Sequence, residues 1–179
     1  AAVINATGAW VDRTLQRLGV AGKRLMAGTK GSHLGTSHPA WRELLGDDGV
    51  YAEASDGRPV FILPLGGAVL IGTTDLPFEG DPALARADEG EIEYLLDVVR
   101  QVFPQVVLLP SDIDFHYSGV RPLPFSSAET PAGVTRRHWV ESHDNSNSGN
   151  NPPIFSIVGG KLTTCRSLAE DAVAKEIGR

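Results

Sequence analysis

The chain has 179 residues, 41% of them hydrophobic, which is the composition of an ordinary globular protein with room for a sizeable core. Its net charge of −6 argues against a nucleic-acid-binding face but leaves room for a small cationic pocket that binds an anionic ligand. The only cysteine, Cys165, excludes an intrachain disulfide and a cysteine metal cluster, and it favours a reducing compartment.

The N-terminal residues have the pattern of a strand, a turn and a helix. Residues 2–6 are apolar enough for a buried strand, Gly8 interrupts the pattern, and residues 9–19 place apolar side chains at helical spacing. A weaker strand pattern covers residues 24–34, and a short helix is predicted at residues 39–45. No apolar run approaches the roughly 20 residues of a membrane-spanning helix, and no basic region typical of a signal peptide opens the chain.

The central segment has the pattern of antiparallel strands. Hairpin signals, Ser-Asp-Gly and Gly-Gly, separate three strand-like runs at Val50–Ala54, Pro59–Leu65 and Ala68–Thr73. The clearest helix, Asp88–Phe103, has Asp88 as a candidate N-cap and Glu91 three residues later, which is the spacing of a capping box.

The C-terminal part returns to a strand followed by a helix. Strands are predicted at Ile113–Val120, Val134–Ser142 and Ile154–Val158, and the polar residues 143–153 are predicted to be a solvated loop. A helix follows Gly159 and Gly160. Antiparallel strands between two β-α ends predict an α+β fold with flanking helices, in which the two ends belong to a separate sheet.

The turn at residues 159–164 is the most specific candidate site. Two glycines before a helix allow close approach of the backbone, and the free N–H groups of a helix N-terminus attract negative charge. Such a terminus suits the pyrimidine edge of a reduced flavin. The alternative is an ordinary glycine turn with Thr163 or Thr164 as the N-cap.

Other candidates are single polar residues at strand ends. His33 follows Lys30-Gly31-Ser32, Arg121 lies at the end of a predicted strand, and Arg136 and Arg137 are adjacent arginines of the kind that bind phosphate. The alternative for each is a solvated surface residue. Gly72-Thr73-Thr74-Asp75 is interpreted as a turn. The histidines have no metal-site spacing, so no metal is predicted.

Seven segments in chain order resemble the FAD-dependent glycerol-3-phosphate dehydrogenases. They are INATGAWVD, KGSH, VFILPLGGAVLIGTTD, EIEYLL, YSGVRPL, the Thr135-Arg136 pair and GGKLTTCRSLAE. The resemblance covers residue 3 to about residue 176. It implies a mostly antiparallel substrate-binding domain at residues 23–153, between pieces of a Rossmann-like flavin domain at residues 1–22 and 154–179.

The resemblance also implies roles for individual residues. His33 would face the C2 hydroxyl of glycerol 3-phosphate, Arg121 would stabilise the oxygen that becomes the ketone, and Arg136 would bind the phosphate. Gly8 would approach the flavin diphosphate. The flavin ring edge would be lined by Gly159, Gly160, Lys161, Leu162 and Thr163.

The activity implied is oxidation of sn-glycerol 3-phosphate to dihydroxyacetone phosphate with FAD as cofactor. A quinone would accept the electrons, and the full-length protein would be cytoplasmic with peripheral membrane contact. The G-x-G-x-x-G fingerprint of the flavin domain is absent from this sequence, so this chain alone is not expected to retain FAD or to be active. Two alternatives stay open: an FAD-dependent oxidase of amino or hydroxy acids, and a non-catalytic anion-binding module.

Overall fold

The computed structural model describes residues 2–125, 138–143 and 152–177. The strands, numbered in chain order, are β1 (Val3–Asn5), β2 (Met26–Thr36), β3 (Val50–Glu53), β4 (Pro59–Leu65), β5 (Ala68–Gly72), β6 (Leu76–Phe78), β7 (Phe115–Pro124), β8 (Trp139–His143) and β9 (Ile154–Val158). The α-helices are α1 (Val11–Arg17), α2 (Ala40–Leu45), α3 (Glu89–Val102) and α4 (Cys165–Ile177). In this described part of the chain, no helix combines the length and the apolar character needed to cross a bilayer.

The chain forms two compact units. Unit 1 consists of Ala1–Thr29, Pro77–Pro82 and Val120–Arg179, and unit 2 consists of Lys30–Leu76 and Ala83–Gly119. The division falls inside β2, β6 and β7. The assignment of residues 1–22 and 154–179 to flavin binding and of residues 23–153 to substrate binding stays a prediction, because compactness does not show what a unit binds.

The two ends of the chain meet in the sheet of unit 1, whose strand order is β1-β9-β8. β1 is parallel to β9, with Val3 opposite Ile154 and Asn5 opposite Ser156, and β8 is antiparallel to β9. One face of α1 packs into the core of this unit through Val11 and Leu15. The prediction that both ends belong to one sheet is confirmed.

The other sheet has the order β3-β4-β5-β2-β6, and β7 also pairs with β2. The predicted hairpins are present, since β3 pairs with β4 and β4 with β5, both antiparallel. In unit 2, α3 covers one face of the sheet, where its Leu95 and Val99 pack with Leu34, Trp41 and Ile62 in one buried cluster. The α+β prediction with mostly antiparallel strands is confirmed.

The N-terminus of α3 has the predicted capping box. The Asp88 side chain accepts a hydrogen bond from the Glu91 backbone N–H at 3.0 Å, and the Asp88 N–H donates to Glu91 Oε2 at 3.1 Å. These two bonds satisfy amides that would otherwise lack a partner in the first turn.

Several predicted boundaries are wrong, for reasons of local chemistry. β7 runs to Pro124 instead of ending at Val120, because a strand tolerates proline where the missing N–H is not needed. β6 was not predicted, since three residues around Pro77 show no alternation. β8 begins at Trp139 and includes His143, which was predicted to open a loop; residues 134–137 and 144–151 lie outside the described residues.

Candidate active site

His33 lies on the face of the unit 2 sheet that points away from α3. Its neighbour Leu34 is in the core with α3, and side chains alternate along a strand, so His33 points the other way. The pairing register places His33 opposite Gly72, Gly72 opposite Phe61 and Phe61 opposite Tyr51. These four residues therefore form a row across this face, on which Phe61 and Tyr51 are exposed. We call it the open face of the sheet.

The ring of His33 is held between a glycine and a tyrosine. Tyr117 stacks on it, with ring centroids 4.9 Å apart and an angle of 9° between the planes. On the neighbouring strand, a Cβ atom added to Gly72 would overlap the imidazole, so only glycine leaves room for the ring in this position. The sequence alone indicates only a turn at Gly72.

A cluster of polar side chains lies on the other face of β2, and it is buried except for the exposed Asp88 and the half-buried Ser118. We call it the Glu91 cluster, and its members are Lys30, Ser32, Thr74, Asp88, Glu91 and Ser118. Glu91 Oε1 accepts hydrogen bonds from Ser32 Oγ at 2.8 Å and from Thr74 Oγ1 at 2.7 Å. Ser32 Oγ also bonds Ser118 Oγ at 2.7 Å, and the Ser32 N–H donates to Thr74 Oγ1 at 2.9 Å.

Lys30 supplies the positive charge of the Glu91 cluster. Its Nζ lies 2.6 Å from Glu91 Oε2, 2.8 Å from the Arg86 carbonyl oxygen and 3.3 Å from Asp88 Oδ2, so each of its three N–H groups has an acceptor. The side chain of Lys30 is 10% exposed and that of Glu91 is 1% exposed. A charge pair this well buried is stable only when its remaining hydrogen-bonding groups are also satisfied, as they are here.

The two charges of this pair shift each other's titration. Burial alone raises the pKa of Glu91, but hydrogen bonds from Lys30, Thr74 and Ser32 outweigh it, so the pKa of Glu91 lies below its ordinary value. Burial alone lowers the pKa of Lys30, but the hydrogen bond and charge of Glu91 outweigh it, so the pKa of Lys30 is raised. Both groups are therefore charged at neutral pH.

We expect Glu91→Gln to lower the free energy of unfolding by about 3–5 kcal/mol at neutral pH, because Lys30 then has no buried counter-charge. The folded-state pKa of Glu91 lies below its unfolded value, so its contribution is present above about pH 4.3 and is lost as the pH falls further. Urea unfolding from pH 7 to pH 3 should show the difference between parent and variant shrinking below pH 4.3. Asp97→Asn, on the exposed surface of α3, should change little, and a difference that stays constant with pH would contradict the assignment.

The turn after β1 in unit 1 is built around Asn5. Its buried Nδ2 donates to the Val11 carbonyl oxygen at 3.1 Å and to Ser156 Oγ at 3.2 Å, which connects β1 to α1 and β9. Gly8 has a φ of 59°, in the left-handed region that favours glycine. The Asn-Ala-Thr-Gly segment is thus a tight strand-to-helix turn, as expected, and the role of Gly8 at a flavin diphosphate stays a prediction.

The glycine turn after β9 exposes the residues that were predicted to line a flavin. Gly159 and Gly160 have φ values of 75° and 97°, and a short 3-10 turn over Leu162–Thr164 leads into α4. Lys161 and Thr163 are exposed, and Leu162 is 90% exposed. Thr164 Oγ1 accepts a hydrogen bond from the Lys161 N–H at 3.2 Å and donates to the Lys161 carbonyl oxygen at 3.1 Å, which closes the turn.

Arg121 is half-buried in β7 of unit 1, where it lines a cleft of about 640 Å³. Two other arginines of this cleft have acidic partners, since Arg13 lies 2.9 Å from Asp81 and Arg24 lies 3.3 Å from Glu79. His33 belongs to unit 2, so its cooperation with Arg121 in one site stays a prediction. Arg136 and Arg137 lie outside the described residues.

The Glu91 cluster was missed by the sequence reasoning. Glu91 was identified only as the capping-box acid, yet it lies four residues before Leu95 on the face of α3 that enters the core. A carboxylate on an apolar helical face requires a buried partner, and that signal could have pointed to Lys30. The cluster joins residues from four of the segments that carried the family resemblance: KGSH, GTTD, EIEYLL and YSGVRPL.

This chain belongs to the FAD dependent oxidoreductase family, whose model matches residues 1–164. It is 37% identical over 191 residues to a glycerol-3-phosphate dehydrogenase of Synechocystis sp. and 36% identical over 178 residues to the aerobic glycerol-3-phosphate dehydrogenase of Escherichia coli. These alignments cover 100% and 97% of this chain but 33% of each relative, so the chain spans a third of their length. The predicted resemblance is confirmed.

A solved structure has the same fold. The glycerol-3-phosphate dehydrogenase from Bacillus halodurans, complexed with FAD, superposes with a TM-score of 0.77 at 32% sequence identity. The match covers 99% of this chain and 32% of the other chain.

Proposed function

We propose that the full-length protein oxidises sn-glycerol 3-phosphate to dihydroxyacetone phosphate by hydride transfer to FAD. The observation that carries this proposal is the placement of His33, whose ring is fixed by Gly72 and Tyr117 on the face of the sheet away from α3. The named relatives, which are glycerol-3-phosphate dehydrogenases, support the choice of substrate. Residues 23–153 would bind substrate, and residues 1–22 and 154–179 would bind flavin.

The residues of unit 1 fit a flavin. Gly159 and Gly160 have left-handed backbone conformations, and a Cβ atom on Gly160 would lie 3.2 Å from the Leu168 side chain, so this turn is compact and presents its backbone. Gly160, Lys161, Leu162 and Thr163 would line the ring edge, and Gly8 would approach the diphosphate. FAD, when bound, accepts the hydride. The strand with the G-x-G-x-x-G fingerprint is not in this sequence, so a purified sample of this chain should show no flavin absorption.

The proposed chemistry needs three protein groups. His33 would accept the proton of the C2 hydroxyl, because alcohol oxidation requires a base within hydrogen-bonding reach. Arg121 would stabilise the negative charge that develops on the same oxygen. Arg136 would bind the phosphate, which a guanidinium does with paired hydrogen bonds. We also propose, from the family resemblance alone, a quinone acceptor and a cytoplasmic location with peripheral membrane contact.

We expect Arg136→Ala in the full-length protein to raise the KM for glycerol 3-phosphate roughly ten- to a hundredfold, since a charge-assisted bond is worth about 1.5–3 kcal/mol. The KM for unphosphorylated glycerol should change little. Arg137→Ala is the matched control, because in the strand predicted from the sequence at Val134–Ser142 adjacent residues would point to opposite faces, and a solvated arginine contributes little. Steady-state kinetics with glycerol 3-phosphate, glycerol and a sarcosine-like amine test the proposal. Equal losses from both substitutions, or preference for the amine, would reject it.

A further inference from the structure

We propose that Glu91 is a positioning residue for His33, acting from the opposite face of the sheet. Glu91 lies in the first turn of α3 and does not reach the open face, so it would act only through the strands that it holds together. This inference rests on the proposed function, in which His33 is the base.

Glu91 is connected, directly or through Ser32, to the strand that carries His33 and to the two segments that flank its ring. Ser32, the neighbour of His33 on β2, donates to Glu91 Oε1 at 2.8 Å. Thr74 donates to the same oxygen at 2.7 Å, and it follows Gly72, the residue opposite His33, by two positions.

The third connection leads to the stacking partner. Ser32 Oγ donates its only proton to Glu91, so in its 2.7 Å bond with Ser118 the serine on β7 is the donor. Ser118 is the neighbour of Tyr117, whose ring stacks on His33. Glu91 lies on the opposite face of the sheet, and through these bonds it fixes the strand that carries His33. It also fixes the two segments between which the His33 ring lies.

The carboxylate form of Glu91 is required for this arrangement. Its two oxygens accept from Ser32, Thr74, Lys30 Nζ and the Asp88 N–H, which uses all four acceptor positions of a carboxylate. A glutamine in its place would keep the volume but has only one oxygen, so its NH₂ group would face either Lys30 and the Asp88 N–H, which are donors, or the Ser32 and Thr74 hydroxyls, which now donate to Glu91. Lys30 keeps Glu91 in its ionised form, because the three acceptors of the Lys30 ammonium group hold that group beside the carboxylate.

The kinetic test is a double-mutant cycle in the full-length holoenzyme. We expect Glu91→Gln to lower kcat for glycerol 3-phosphate on the order of tenfold to a hundredfold, as for a misplaced catalytic group, while KM changes by less than about threefold. In the His33→Ala background, Glu91→Gln should leave kcat unchanged, because a residue that acts through His33 has no effect once His33 is gone. Equal factors in both backgrounds would overturn the proposal.

Thr36→Val is the matched control. Thr36 is buried on the same strand and points to the same face as Ser32, but its hydroxyl donates to the Asp112 carbonyl oxygen outside the Glu91 cluster. We expect it to lower the unfolding temperature without lowering kcat at temperatures where the variant is folded. A loss of kcat in Thr36→Val as large as that in Glu91→Gln would show that general destabilisation, not positioning, explains the effect. If Glu91→Gln does not fold, the same cycle is run with Ser32→Ala and Ser118→Ala, with the same expected non-additivity.

A structural measurement separates this inference from the proposed function. In a crystal structure of the Glu91→Gln holoenzyme, we expect the His33 ring to leave its stack on Tyr117, whatever the enzyme turns over. An unchanged stack overturns the positioning role even if glycerol 3-phosphate is the substrate. If the parent enzyme does not turn over glycerol 3-phosphate while the His33 ring is displaced in the variant, the proposed function is rejected. The positioning of His33 by Glu91 stands in that case.

Discussion

His33→Ala in the full-length protein is expected to lower kcat for glycerol 3-phosphate by a factor of about 10²–10⁴, the usual contribution of a general base. Hydride removal from C2 gives a ketone only if the hydroxyl proton also leaves, and an alanine methyl group cannot accept it. KM should change less than kcat, because the group proposed to bind the phosphate is Arg136 and not His33.

His116→Ala is the control for this experiment. His116 is an exposed histidine on β7, one residue before the stacking partner Tyr117, and adjacent residues of a strand point to opposite faces. Its removal should leave kcat within about twofold of the parent, as for most exposed substitutions. If kcat for both variants stays near the parent value, His33 is a surface residue and the proton is taken by another group.

The parts of the fold that were predicted correctly have local signals. The β3–β4–β5 hairpins follow from alternation and from turn residues between the strands, and α3 follows from its apolar periodicity and from the Asp88–Glu91 capping box. β2 was only weakly predicted because its glycines lower its strand propensity. The structure explains Gly35: the Phe115 ring packs over it, so a glycine there is required by a residue far away in the sequence.

The environment of His33 depends on pairs that no local pattern reveals. Glu91 meets Ser32 across 59 residues and Thr74 across 17 residues, and Tyr117 comes from a third strand. The KGSH segment identified His33 as a candidate, but it could not show that Gly72 makes room for the ring. The register between β2 and β5 places Gly72 opposite His33, and that register is fixed by which faces of the two strands are buried.

Gly72 offers the sharpest geometric test of the His33 site. A Cβ atom at residue 72 would overlap the imidazole, and the φ of Gly72 is not positive, so Gly72→Ala meets a steric obstacle and not a left-handed backbone. The ring must leave its place beside Tyr117. Since a misplacement of about 1 Å can cost a factor on the order of 10² in rate, we expect kcat to fall by about that factor in the full-length protein. Overpacking should also lower the free energy of unfolding by about 1–3 kcal/mol.

Gly35→Ala separates the loss of rate from the loss of stability. Gly35 lies on β2 and, like Gly72 on β5, it has no positive φ. A Cβ atom on Gly35 would also overlap an aromatic ring, but the ring is that of Phe115 and not of His33. Its stability cost should be similar, because overpacking acts in both variants. Its kcat, measured below the unfolding temperature of both proteins, should stay near that of the parent. Comparable losses of kcat in Gly35→Ala and Gly72→Ala would mean that strain in the sheet, and not the position of the His33 ring, controls turnover. A large loss in Gly72→Ala alone, together with displacement of His33 in a crystal structure of that variant, would tie the rate to the position of the imidazole.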